Sequence, residues 1–290
     1  MTRLFIGVVL ILALLVLAGG RNDSFSPIEA KFIVESPPSL VLGVIPYLSV
    51  EALKKEMDPI ARYLERRLER PVKLNVCPNY KSLGKLLDLN RVHVAWFSAV
   101  SYLQLKTGEE WEVLSRPMRH EKLVYKGLIV TLADSPYHTL EDLEGTTFAY
   151  VDRNSGSGFF YPNRLFKKKG INPLTFFEKV VFTNSHDQSL HGVSNGHYVA
   201  AAVYEGLILK GDENINPQFR VITPTDSIPN DPVVVRRDLD PGLKRKLKEA
   251  MLTMHENEEG KEVMSHLKEL RGVSRFVDEA EVKKSLSLPE

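Results

Sequence analysis

One cysteine, Cys77, stands in the whole chain of 290 residues. No intrachain disulfide can form, and a cysteine-built zinc site is excluded with it. The fold therefore rests on its apolar core, and a hydrophobic content of 43% supplies one. Cys77 lies in the alternating run VKLNVCP and reads as a small buried residue rather than a reactive thiol. A charge of one sign is lacking as well. The 38 basic residues meet 37 acidic ones, for a formal net charge of +1. Nucleic-acid binding usually draws on a basic excess, so no such partner is expected. His186, His191 and His197 lack a metal-like spacing, so neither a metal nor another cofactor is expected.

A full membrane-spanning run is also missing. Arg3 precedes an apolar stretch from Leu4 to Ala18, followed by Gly19 and Gly20. That is shorter than the roughly 20 apolar residues that cross a bilayer comfortably. Residues 1–20 read as an export signal, with an uncleaved signal anchor as the alternative. LAGG resembles a lipoprotein signal, but Gly20 stands where the lipid-bearing cysteine would be. Residues 21–38 are polar and proline-bearing and read as a tether.

From residue 39 onward, short β-rich runs alternate with helical spacing. LVLGVIP is followed by a helix over 51–70, with Leu53, Met57, Ile60, Leu64 and Leu68 on one face. VKLNVCP, VHVAWFS, WEVLSRPM and YKGLIVTLAD read as further strands. TTFAYVD, EKVVFTN, HYVAAAVYEG and FRVITPTD repeat the theme, each of the first two leading into a helix. Such alternation predicts parallel βαβ units in an α/β fold of two lobes. The terminal helices, with no strands of their own, are expected to pack back on the first lobe. That places residues 39–131 and 232–290 in lobe 1 and 132–231 in lobe 2. The chain would cross twice, near 131–134 and 228–232, leaving a ligand cleft at the hinge.

Four stretches carry chemistry. After the strand TTFAYVD come Ser155, Gly156, Ser157 and Gly158, at a helix start. Glycines let a ligand approach the backbone, and free N–H groups with two hydroxyls suit a phosphate-sized anion. The plain alternative is a tight turn in which Ser157 caps the helix. The stretch carries none of the nucleotide-loop patterns, nor the serine elbow of hydrolases. His186 follows the next strand and can donate to an oxyanion. Tyr47 follows the first strand, and Phe97, Ser98 and Ser101 follow the third. Singly, each is as readily core packing or a cap; their shared position after successive strands marks them as a set.

In order and spacing, four segments resemble the periplasmic phosphate/phosphite/phosphonate-binding proteins of ABC importers. They are LGVIPYLSVEALKKEMDPIARYLERRLERPVKL, DRNSGSGFFYPNRLFKKKGINP, TNSHDQSLHGVSNGHYVAAAVYEG and SIPNDPVVVRRDLDP. The resemblance spans roughly residues 40–254. It implies a two-lobed periplasmic binding protein-like fold of type II, capture of a small oxyanion by hinge closure, no catalysis, and an ABC permease as partner. The protein would be an exported monomer, periplasmic or at the cell surface, with anchoring by its N-terminus as the alternative. Ser155, Gly156, Ser157 and Gly158 would seat the oxyanion, His186 would complete the clamp, and Tyr47 would face the cleft. The chain departs from the family's pattern in two places. Tyr204 and Glu205 close a strand where the family often carries an acidic residue for an aminoalkyl tail; Glu205 is the candidate substitute, although a regular strand would turn it away from Tyr204. Phe97 and Ser98 replace a usual Gly-Pro pair, and Phe97 is expected to narrow the pocket. A membrane-anchored sensor of the same ligands is the alternative function. An enzyme using Ser157 and His186 lacks a third, orienting group.

Overall fold

The computed structural model describes residues 36–106, 109–210 and 214–287. The export signal assigned to 1–20, and all but the end of the 21–38 tether, lie outside the described residues. No helix among the described residues is long and apolar enough to cross a membrane. In chain order the strands are β1 (Leu40–Val44), β2 (Val72–Val76), β3 (Val94–Trp96), β4 (Trp111–Arg119), β5 (Val124–Leu132), β6 (Thr147–Tyr150) and β7 (Lys179–Phe182). They continue with β8 (Ala200–Tyr204), β9 (Leu209–Lys210), β10 (Asn214–Ile215), β11 (Phe219–Pro229), β12 (Val233–Arg236) and β13 (Val273–Val277).

Two sheets organise the two lobes. One runs β13-β4-β12-β3-β1-β2 and the other β11-β5-β8-β6-β7, while β9 and β10 form a small separate ribbon. The expected parallel pairing holds at the heart of each sheet, where β1 lies between β2 and β3 and β6 between β7 and β8. The strands that bring the chain back between lobes pair antiparallel: β12 with β3 and β4, and β5 with β8 and β11. Period-2 alternation fills both faces of the second sheet. Ile129, Phe148 and Ala202 face one apolar cluster, and Val130, Ala149 and Ala201 face the other. In the first lobe, the helix Val50–Leu68 buries Leu53, Met57, Ile60, Leu64 and Leu68. It ends at Glu69, whose φ of 52° leaves the helical region.

Two expectations need correction. The strand 124–132 pairs with β8 and β11, so it belongs to the second sheet, not to the first lobe. The first crossing is therefore the turn at 120–123, where His120 and Glu121 have φ of 46° and 56°. Two apolar strands in succession, β4 and β5, gave no sign of which sheet each would join. The second crossing runs between the end of β11 at Pro229 and the start of β12 at Val233. The C-terminal helices also do not lack a strand: β13 pairs with β4 and extends the first sheet. Its sequence, VSRFV, is short and carries Ser274 and Arg275, which masked it.

Candidate functional site

The Ser155–Gly158 stretch follows β6 and opens a helix, but Ser155, not Ser157, is the cap. Its backbone is extended and its Oγ accepts from the Gly158 N–H at 3.0 Å. The first turn, Gly156–Phe160, is wound wide, with Phe160 N–H donating to Ser155 O and Tyr161 N–H to Gly156 O. The α-helix Tyr161–Lys168 continues it. The N–H groups of Gly156 and Ser157 have no acceptor among the described residues. Gly158 is required by space: a Cβ there would sit 2.5 Å from Val151 Cγ2 and 2.9 Å from Ser155 Oγ. Gly158→Ala is accordingly expected to lose about 1–2 kcal/mol, the overpacking cost exceeding the gain in helix propensity. A urea melt as stable as that of the wild type would refute this.

His186 opens the helix after β7 and is buried. Its Nδ1 accepts from the Tyr204 N–H at 3.2 Å, so the ring proton sits on Nε2, 3.5 Å from Ser157 Oγ. Burial, with a smaller contribution from the Arg271 charge, pulls the imidazole pKa down to about 3 against the opposing pull of Asp187. His186 is thus a neutral donor. The lobes meet around it. His186 N–H donates to Tyr47 O at 2.9 Å, Ser49 N–H to Asp187 Oδ2 at 2.8 Å, and Ser98 Oγ to Asn154 O at 3.2 Å. Asp187 thereby caps, from the opposite lobe, a helix whose own Ser49 makes no side-chain cap.

A cavity of about 20 Å³ lies where these elements converge. Of the expected residues, Tyr47, Ser98, Ser155, Ser157, His186 and Tyr204 line it. Gly156 and Gly158 shape the turn behind it. Two expected residues stand elsewhere. Phe97 is fully buried and stacks on Trp111 at 5.2 Å in the first lobe, so it does not narrow the cavity. Glu205 begins a short 3-10 turn after β8 and borders a separate surface depression with Lys122 and Lys268.

Sequence reasoning missed Ile45, Tyr80, Arg119, Tyr125, Asp231 and Arg271, which complete the wall. Asp231 sits at the second crossing, where Oδ2 accepts from Arg119 Nη2 at 3.1 Å and Arg271 Nη2 at 3.4 Å. Its Oδ1 accepts from the Tyr125 hydroxyl at 3.3 Å. Arg271 also donates to Glu56 Oε1 at 3.1 Å, and the Tyr47 hydroxyl donates to the same oxygen at 2.5 Å. Burial opposes the Arg271 charge, but Tyr47, Glu56 and Tyr204 hold its pKa above the ordinary range. Burial and the neighbouring Arg271 charge lower that of Arg119, with Asp231 opposing. Burial raises the phenols of Tyr80 and Tyr125, which lie against Ser155 and Ser157 and serve as neutral hydroxyls.

The wall is rich in donors: hydroxyls, two guanidiniums, open amides and the Nε2–H of His186. It offers one carboxylate of its own, already paired twice. Such a wall suits a small anion. About 20 Å³ is room for one water molecule. A tetrahedral oxyanion with several heavy atoms is larger, so the lobes stand closer here than they can around such a guest.

Residues 42–280 match the family model described as the periplasmic substrate-binding protein of a phosphonate ABC transporter. The phosphonates-binding periplasmic protein of Escherichia coli K12 is 25% identical over 252 residues, 83% of this chain and 73% of that one. The phosphate-import protein PhnD of Mycolicibacterium smegmatis is 24% identical over 228 residues, 73% and 70% of the two chains. The structure of PhnD1 from Prochlorococcus marinus in complex with methylphosphonate superposes with a TM-score of 0.74 at 20% identity, covering 87% of this chain and 99% of that one.

Proposed function

This chain belongs to the periplasmic substrate-binding proteins of phosphonate ABC transporters, and from that premise we propose how it holds its guest. The oxyanion sits on the open amides of Gly156 and Ser157 and the hydroxyls of Ser155 and Ser157, with the Nε2–H of His186 as a further donor. One observation carries this reading: Ser155, Ser157 and His186 line a single cavity to which the other lobe contributes Tyr47 and Ser98. The guest is a phosphonate, phosphite or phosphate; relatives named for phosphonates and for phosphate both support that class. The lobes must part to admit the guest, and its contacts to both of them would then hold the cleft closed around it. The loaded, exported protein then delivers its guest to the permease of an ABC importer, as a monomer.

Holding, not turnover, fits the geometry of Ser157 and His186. A general base needs a free lone pair towards its nucleophile. Here Nδ1 is taken by the Tyr204 N–H, and the proton on Nε2 faces Ser157. The histidine can donate towards a guest but cannot take the Ser157 proton.

Thermal melts with phosphate, phosphite, methylphosphonate and sulfate test the assignment. Ligand at 100 times its dissociation constant adds about 2.7 kcal/mol of stability. Ser157→Ala and His186→Ala are each expected to remove the shift. His186→Ala also strips the Tyr204 N–H of its acceptor, so each variant is compared with its own unliganded melt. Full shifts in both variants would overturn the assignment.

A further inference from the structure

Around Arg271, which lines the cavity, and reaching behind its wall lies a cage built for a cation and filled by the protein itself. Its carboxylates are Glu56, 3.1 Å from Arg271 Nη1, and Asp231, 3.4 Å from Nη2. Its aromatic walls are Tyr47 and Trp96, whose ring centroids lie 4.5 Å and 5.4 Å from the guanidinium carbon. Two carboxylates and two ring faces are what an ammonium group would seek. The occupant instead is Arg271, the last residue of the helix Glu258–Arg271, held in place because Gly272 turns the chain at φ 67° into β13. We propose that the Arg271 guanidinium stands where the cationic tail of an aminoalkyl phosphonate would go, and that it restricts this chain to oxyanions without such a tail.

The cage adjoins the oxyanion turn. Arg271 lines the same cavity as Ser157 and His186, and Tyr47 joins the two regions: its hydroxyl belongs to the cage, while its carbonyl accepts the His186 N–H. A tail reaching from the Ser157 turn would meet a like charge already paired with both carboxylates. Asp231 is doubly committed, because Arg119 shares the same oxygen. The Nε–H groups of Arg119 and Arg271 are buried without an acceptor, which favours a further anion over a further cation beside them.

This inference rests on the oxyanion-capture reading, and titration calorimetry separates the two. The titrants are phosphite, methylphosphonate and 2-aminoethylphosphonate, at pH 7.5. The wild type is expected to bind phosphite or methylphosphonate at least roughly 100-fold more tightly than 2-aminoethylphosphonate, as a built-in repulsive element predicts. Arg271→Ala frees Glu56 and Asp231 for the ammonium and should shrink that ratio at least about tenfold. Arg271→Lys retains a cation in the cage and should preserve it. Should the alanine variant fail to fold, the wild-type ratio and the lysine variant still decide. Equal wild-type affinity for tailed and tail-less ligands would overturn the inference and leave oxyanion capture standing. So would an unchanged ratio in a folded Arg271→Ala, or a ratio lost in Arg271→Lys. Binding of none of the three would remove both readings.

Discussion

Asp231→Ala is expected to cost about 3–5 kcal/mol of folding stability, the loss typical of breaking a buried ion pair from one side. The carboxylate is nearly buried and accepts from Arg119, Arg271 and Tyr125. Its removal takes this partner from Arg119 and leaves Arg271 with Glu56 alone of the two cage carboxylates. Position adds to charge here. Asp231 follows Asn230, whose side-chain amide donates to Pro117 O and Lys122 O, so the two crossings between lobes are tied at this point. Asp231→Asn keeps an acceptor and loses the charge, and should fall between alanine and the wild type. The contrast is Asp226, paired with Lys168 at 2.6 Å while both side chains are about half exposed. Solvent screens that pair, and Asp226→Ala should cost far less than Asp231→Ala. Urea unfolding followed by circular dichroism measures all three. A loss under 1 kcal/mol for Asp231→Ala would mean that the network contributes nothing to holding the lobes.

The residues that were legible in the sequence are those whose role is set by neighbours along the chain. Ser155 to Gly158 announce a turn by their own chemistry, and His186 occupies the corresponding place after the next strand. The helix Val50–Leu68 was visible because its apolar spacing encodes a buried face. Arg119, Asp231 and Arg271 were not legible, because nothing local separates a buried arginine from a solvated one. Arg271 ends a helix, where a basic residue is the ordinary choice against the dipole. Asp231 lies in IPNDP, which reads as a turn. Only the pairing of β12 with β3 and β4, and of β13 with β4, brings residues 119, 231 and 271 to one place. The misplacement of β5 has the same origin. Period and composition define a strand, but the sheet it joins is decided by contacts distant in sequence. Phe97 misled because it follows a strand directed at the cleft. Stacking on Trp111 drew it into the core, and Ser98 reached the cavity instead.

Stability is expected to fall as the pH drops from about 6.5 towards 3, with His186 contributing about 1.4 kcal/mol per pH unit, the value of one proton. The sign follows from the two states. Above 6.5 neither folded nor unfolded protein protonates this imidazole, and it adds no pH dependence. Below 6.5 the unfolded chain takes up the proton while the folded protein, with its pKa near 3, does not. Stability is therefore lost until both states are protonated. Between pH 6.5 and 4.5 the loss should reach roughly 2.5 kcal/mol. Geometry enforces the shift as well as burial. A second proton must go to Nδ1, which accepts the Tyr204 N–H, so charging the ring means breaking that bond between the site helix and the end of β8. Asp187 titrates in the same direction at lower pH: burial raises its pKa, but the nearby Ser185 hydroxyl and the N–H groups of Ser49 and Gln188 hold it below the usual carboxylate range. The contribution of His186 is therefore read as a difference between wild type and His186→Gln. The two stability curves should converge as the pH falls from 6.5 to 4.5, because glutamine cannot take up the proton. A constant separation across that range would mean that His186 titrates as it does in water, and the neutral donor assigned to the oxyanion site would go with it.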